Sequence, residues 1–264
     1  MSICLRRREF IAGLGGAAAW PLVARAQQQT KPTVGWLTDA LPPRDSIEAF
    51  RRGLAEIGFL EGRDVTVEYH NTDGHSERAS ALADDLVLRR VAVIFAVATD
   101  PAVAAKAATR TIPVVFNVGT DPVDLGLVAS LNRPGGNLTG VAVLRAAIAA
   151  TRLELLHKLV PATELIAMLA GPADRYTQAE TRNVQSAART LGLRLLLFNA
   201  TTESEIAAAF ATLVERQAGA VLVSAHALLQ PMIDQIISLA ARYALPTMFF
   251  YGSAVREGLW VGWQ

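Results

Sequence analysis

Thr38-Asp39, Thr99-Asp100, Asn117 with Thr120-Asp121, Asp174, Asn199, and Ser224 with His226 each follow close behind a short apolar run. Hydroxyl, amide and carboxylate groups at such positions, with free N–H groups at helix starts, can hold the polar ends of a small solute. The α-amino and α-carboxylate groups of an amino acid are the natural example. Taken singly, each residue has a simpler reading as a cap or turn former. Asp100-Pro101 and Asp121-Pro122 have the form of an N-cap followed by proline at the first helical position. As a set on one edge, they are better explained by a binding cleft.

Bond-making chemistry is poorly served. Ser224 and His226 lie too close along one strand end to act as nucleophile and base by themselves, and no Gly-x-Ser-x-Gly elbow occurs. His70 and His75 flank Asp73, a grouping that could ligate a metal. With four histidines in all and no cysteine cluster, solvent-exposed loop residues are the better account. Pro134-Gly135-Gly136-Asn137 reads as a tight turn, since no lysine-serine pair follows at phosphate-loop spacing. The sequence therefore offers no catalytic residue, no metal site and no cofactor.

The elements that must position the polar residues alternate in type along the chain. Strands are expected at Val34–Leu37, Val65–Tyr69, Val91–Val97 and Pro113–Val118. Between them, helices are expected from the spacing of Ile47, Phe50, Leu54 and Ile57, closed by Gly58, and over Ser76–Leu88 and Ala102–Ala108. After the turn-rich stretch 132–137, strand Thr139–Val143 leads into helix Ala147–Leu159, and the pattern restarts. Strands Leu165–Leu169, Arg194–Phe198, Ala220–Val223 and Pro246–Phe249 alternate with helices Gln178–Leu191, Glu203–Glu215 and Leu228–Tyr243. Such alternation predicts an α/β fold of two doubly wound parallel-sheet lobes with a cleft between them. Sheets of this kind bind ligands outside the carboxyl ends of their strands, where the polar residues stand. The expected lobes span 27–140 and 141–250.

The first 26 residues read as an export signal. Arg7-Arg8, followed two positions on by Phe10, opens a glycine-dotted apolar stretch ending at Ala24-Arg25-Ala26, an A-x-A cleavage pattern. The arginine pair points to the twin-arginine route, with cleavage after Ala26 and a periplasmic mature protein. The apolar stretch is shorter than the ~20 residues needed to span a bilayer. Cys4, the only cysteine, lies within this segment. Without residues 1–26 the chain carries 21 basic and 23 acidic residues. That balance, with no basic stripe interleaved with aromatics, gives no reason to expect a nucleic-acid partner.

Longer stretches carry a family resemblance. They are Phe50 through Phe59 with Glu61-Gly62-Arg63, Val65 through Tyr69, Ala107 through Phe116, and above all Asp121-Pro122-Val123 with Gly126 through Val141. Leu153-Glu154-Leu155-Leu156 and Ala240 through Pro246 add to it. Over residues 32–250 the chain resembles the extracytoplasmic solute-binding proteins of ABC transporters of the tryptophan/tyrosine-binding type. The resemblance implies a type I periplasmic-binding fold whose lobes close on a small solute by hinge motion. It also implies that the strand-end residues face a ligand, an aromatic or other hydrophobic amino acid in the best-supported cases. A monomer delivering its solute to a membrane permease is the expected working form, and an enzyme is not. Where related chains often carry Asp after strand Ala220–Val223, this one has His226, which leaves room for a different ligand.

Segment 251–264, with Trp260 and Trp263, departs from the expected continuation. It suggests a fold incomplete at the C-terminus through a frame change near residue 250. Other readings of the chain are a secreted α/β enzyme, a ligand-sensing module and a truncated receptor without function.

Overall fold

The computed structural model describes residues 31–250. The expected export-signal residues Arg7, Arg8, Phe10, Ala24 and Ala26 lie outside the described residues, as does the segment 251–264.

Two parallel sheets organise the chain. The first has the order β2-β1-β3-β4-β5, with β1 Thr33–Thr38, β2 Thr66–Asn71, β3 Val93–Val97, β4 Val114–Val118 and β5 Leu138–Ala142. The second has the order β7-β6-β8-β9, with β6 Leu165–Ala170, β7 Arg194–Asn199, β8 Ala220–Val223 and β9 Thr247–Met248. Every paired neighbour is parallel. Since β5 pairs in full with β4, the first sheet runs through Ala142.

Successive side chains of a strand point to opposite faces, so each sheet needs cover on both. In the first lobe, Leu37, Ile94, Ala96 and Phe116 pack against α2 Arg78–Leu88 and α3 Thr99–Ala108. Val34, Trp36, Val65 and Val67 face the other way, toward Phe50 and Leu54 of α1 Arg44–Glu56. Strand β6 shows the same division in the second lobe. Ile166, Met168 and Ala170 pack against α4 Arg145–Leu159 and α5 Arg175–Leu191. Ala167 and Leu169 pack against α6 Glu203–Glu215 and α7 Ile233–Arg242.

Three local expectations are corrected. Leu228–Tyr243 is not one helix: residues Ala227–Met232 form a 3₁₀ turn around Pro231, and α7 starts at Ile233. Pro231 has no N–H to give and its ring crowds the preceding turn, so regular α-helix starts only beyond it. Asp100 does not cap α3, because the helix begins at Thr99 and Ala98 is its N-cap. Asp121-Pro122 opens a turn rather than a helix, with Asp121 Oδ1 accepting the Val123 N–H at 2.7 Å. Gly58 does close α1: at φ 89° it donates to the Ala55 carbonyl, and Phe59 donates back to Leu54.

Candidate ligand-binding site

Strand order fixes where an opening must form. From β1 the chain crosses to β2 on one side, and the next strand, β3, lies on the other. The connections behind β1 and β3 therefore diverge and leave a crevice at their carboxyl ends. Thr38-Asp39 and Ala98-Thr99 border it. The second sheet repeats the arrangement with β6 and β8, whose exits carry Gly171 through Asp174 and Ser224 through His226. The two crevices face each other around a cavity of about 760 Å³.

The first lobe lines this cavity with Thr38, Asp39, Ala98, Thr99, Asn117 and Gly119, the second with Arg145, Tyr176, Ala225, His226 and Leu228. Trp36, Phe50 and Phe95 form an aromatic wall. The Trp36 ring lies 4.9 Å from Phe50 and 4.8 Å from Phe95, edge-on to both, while Phe50 and Phe95 stack at 5.5 Å. Edge-to-face and stacked contacts of this kind hold ring positions well beyond what area burial requires.

The lobes touch across the opening. Arg175, at the start of α5, pairs with Asp100 of α3 at 2.8 Å. The Tyr176 ring leans onto Gly119, where an added Cβ would lie 2.7 Å from the ring, so the backbone approaches closely only because no side chain intervenes. Arg145 lies over the same ring, 5.6 Å from its centroid.

Of the residues expected at the cleft, Thr38, Asp39, Thr99, Asn117 and His226 line the cavity. The others stand behind or beside it. Thr120 is buried and shares a 3.2 Å hydrogen bond with Thr99. Asp100 clasps Arg175, and Asp121 holds its own turn. Asn199 donates to the Gly171 carbonyl at 2.9 Å. Asp174 caps α5 through the Thr177 N–H and meets His226. Ser224 donates its hydroxyl to buried Glu180. Its proton and the His226 ring thus serve different partners, so no nucleophile–base pair forms here.

His226 joins several groups of the site. Its Nδ1 accepts the Leu228 N–H at 3.2 Å, so the neutral ring carries its proton on Nε2, and that nitrogen meets Asp174 Oδ2 at 2.7 Å. Asp39 Oδ2 lies 3.8 Å from the same nitrogen. Burial opposes a charge on the ring, but the Asp174 bond and charge, with Asp39 and Glu180 behind them, outweigh it and raise the His226 pKa. Asp39 is also raised: burial dominates, while the charges of His226 and Arg145 pull the other way. Asp174 feels burial too, yet its bonds to His226 and Thr177 hold it below the ordinary carboxylate value.

Asp39, Asp174 and His226 bring three potential metal-ligand atoms within 4.8 Å of one another. The neutral ring, with Nδ1 accepting an N–H and Nε2 carrying the proton, has no lone pair to offer a cation. His70, His75 and Asp73 do not gather: His70 faces Glu68, His75 faces Glu77, and Asp73 faces Arg78 and Asn71.

Strand-end reasoning misses Arg145, Tyr176 and the aromatic wall. Arg145 and Tyr176 belong to helix starts rather than strand exits, and the wall residues look like ordinary core. The one available signal is Trp36 with Phe95, large rings near the ends of the two strands that flank the crevice. Ala98 was also unmarked. Its φ of 89° and ψ of 168° lie in a region reserved in practice for glycine, beside the cavity.

Comparison with known proteins bears on this arrangement. The family model described as ABC transporter substrate binding protein matches residues 42–262. The chain belongs to that family. The match takes in residues 251–262, the stretch that the sequence reading sets apart as atypical. A tyrosine-binding protein of Clostridioides difficile (strain R20291) is 28% identical over 167 residues, 63% of this chain and 48% of that protein. The chain thus spans about half the length of this relative. A conserved domain protein of Vibrio cholerae superposes with a TM-score of 0.71 at 24% identity, over 86% of this chain and 77% of that one. An ABC domain from Streptococcus pneumoniae in complex with L-Trp superposes with a TM-score of 0.69 at 23% identity, with the same coverage. The fold of this family member is that of type I periplasmic-binding proteins. Among the described residues, no helix is long and apolar enough to cross a membrane.

Proposed function

We propose that this chain is the exported solute receptor of an ABC transporter and that it delivers an amino acid with an aromatic or apolar side chain to its permease. One observation carries the reading. The cavity places a carboxylate from the first lobe, Asp39, and a guanidinium from the second, Arg145, in the same lining, beside the wall of Trp36, Phe50 and Phe95. A zwitterion fits both groups at once, its ammonium toward Asp39 and its carboxylate toward Arg145, with Thr38, Thr99 and Asn117 as further polar partners. Because the charges belong to different lobes, such a ligand binds better when the lobes are together and shifts the population that way. The tyrosine-binding relative and the L-Trp-bound neighbour point to the same ligand class. Export through the Arg7-Arg8 signal, a monomeric periplasmic form and a permease partner complete the reading.

Thermal melts and calorimetry with L-tryptophan, L-tyrosine, L-leucine, tryptamine and indole-3-propionate test it. An amino acid at 100 times its dissociation constant adds about 2.7 kcal/mol of stability. Asp39→Asn and Arg145→Gln each weaken its binding by about tenfold or more, as expected for bonds to charged groups worth about 1.5–3 kcal/mol. Tryptamine and indole-3-propionate, each lacking one charge, bind more weakly than tryptophan. If either binds as tightly as tryptophan, the two-charge reading is wrong.

A further inference from the structure

The second lobe buries an ion pair that stands outside the cavity lining. Arg152 of α4 and Glu180 of α5 are both buried, with Arg152 Nη1 3.6 Å from Glu180 Oε1. Such a pair is weak evidence for stability, because desolvating two charges offsets much of their attraction. The other partners of the two side chains are more informative.

Both charges hold the same few residues at the exit from β8. Arg152 Nη2 donates to the carbonyl of Val223 and also to that of Met248, at 3.3 Å. Glu180 accepts the Ser224 hydroxyl with Oε2 and the Ala225 N–H with Oε1, the latter at 3.2 Å. Ser224 Oγ then accepts the His226 N–H at 3.2 Å. The Val223 carbonyl, the Ser224 hydroxyl and the Ala225 N–H are therefore held directly from two helices, and the His226 N–H through Ser224. Gly171 makes room on the other side: a Cβ there would lie 2.6 Å from His226 Cγ.

We infer that Glu180 is a positioning residue of the ligand site, acting through Ser224 to fix the turn that presents Ala225 and the His226 ring to the cavity. This rests on the reading of the cavity as the ligand site. The polarity of the turn explains why an ion pair suits the task. Its first open group is a carbonyl, which needs a donor, and arginine only donates. Its next two are a hydroxyl and an N–H, which need acceptors, and a carboxylate supplies two. An apolar pair of the same volume would leave all three groups unsatisfied in the interior.

The test is the ¹⁵N-histidine spectrum of the full chain at alkaline pH, comparing wild type with Glu180→Gln and Ser224→Ala, and assigning His226 by its loss in His226→Asn. Wild type shows His226 as the Nε2–H tautomer. Glu180→Gln keeps the size but replaces one acceptor by a donor. Ser224→Ala cuts the link to His226 while keeping the Arg152–Glu180 pair. Both variants give a mixture of tautomers and bind L-tryptophan about three- to tenfold more weakly, the worth of a lost hydrogen bond. An unchanged His226 spectrum in Ser224→Ala overturns the inference, whether or not Glu180→Gln folds. If L-tryptophan and the other amino acids fail to bind wild type, the amino-acid reading falls, and the spectrum alone decides the positioning role.

Discussion

Ala98 holds a backbone conformation that its own Cβ makes costly, and the neighbourhood shows why it persists. Its N–H donates to the Asn117 carbonyl at 2.9 Å, tying the exits of β3 and β4 together where both line the cavity. Such a conformation costs about 1–3 kcal/mol for a residue with a side chain, while glycine in its place gives back about 0.5–1 kcal/mol through greater freedom of the unfolded chain. Ala98→Gly is therefore expected to raise stability by about 1 kcal/mol, read from urea unfolding midpoints, and a loss of stability would show that the residue is not strained. Strain of this kind leaves no mark in a sequence, since alanine is unremarkable at any strand exit. The exits themselves are legible, because Thr38, Asp39, Thr99, Asn117 and His226 follow short apolar runs that could only be strands. Arg145 is not legible: its importance depends on the second lobe swinging a helix start against Gly119, a fact of packing and not of pattern.

Elements are more legible than contacts, for reasons that differ from one to the next. Helix α6 occupies the residues expected of it, Glu203–Glu215, since Thr202 and Glu205 form a capping box. The Thr202 hydroxyl accepts the Glu205 N–H at 3.3 Å, and Glu205 Oε2 accepts the Thr202 N–H at 3.1 Å. Thr202→Ala is expected to cost about 1 kcal/mol of stability, measured by chemical denaturation. Ligand affinity should not change, because α6 packs on the face of its sheet away from Arg145 and Tyr176. The break at Pro231 is harder to read, since Leu228, Met232, Ile236 and Leu239 keep a helical spacing across it. Periodicity reports which side of an element is covered, and it is blind to a missing N–H. Helix starts led by a polar residue suffer in the opposite way. α4 and α5 begin two or three residues earlier than apolar spacing suggests, because Arg145 and Arg175 are polar and carry no hydrophobic signal.

At the scale of the whole molecule, bringing two polar crevices together gathers titratable groups that would not otherwise meet, and stability must then depend on pH. Burial raises the pKa of Asp39, of Asp100 and of Glu180, and for Asp100 the nearby charge of Asp174 adds to it. His226 is raised despite burial by its carboxylate neighbours. A group that binds its proton more tightly when folded contributes stability below its unfolded value and loses it as pH rises through the folded value. Asp174 runs the other way, since its lowered pKa contributes above 3.8 and is lost only as pH falls through the depressed value. From the ordinary histidine value of 6.5 upward, the contribution of His226 is still to be lost. Stability without ligand is therefore expected to fall as pH rises from 6.5 through the raised value, and His226→Asn should flatten that limb while leaving changes at lower pH in place. Urea midpoints across this range decide it. A wild-type midpoint that climbs above 6.5 would mean that the ring is neutral throughout and that its bond from Leu228 outweighs the attraction of Asp174. A bound zwitterion adds a further sign. Its ammonium favours the charged form of Asp39, so saturating amino acid should lessen the part of the pH dependence that comes from the first lobe.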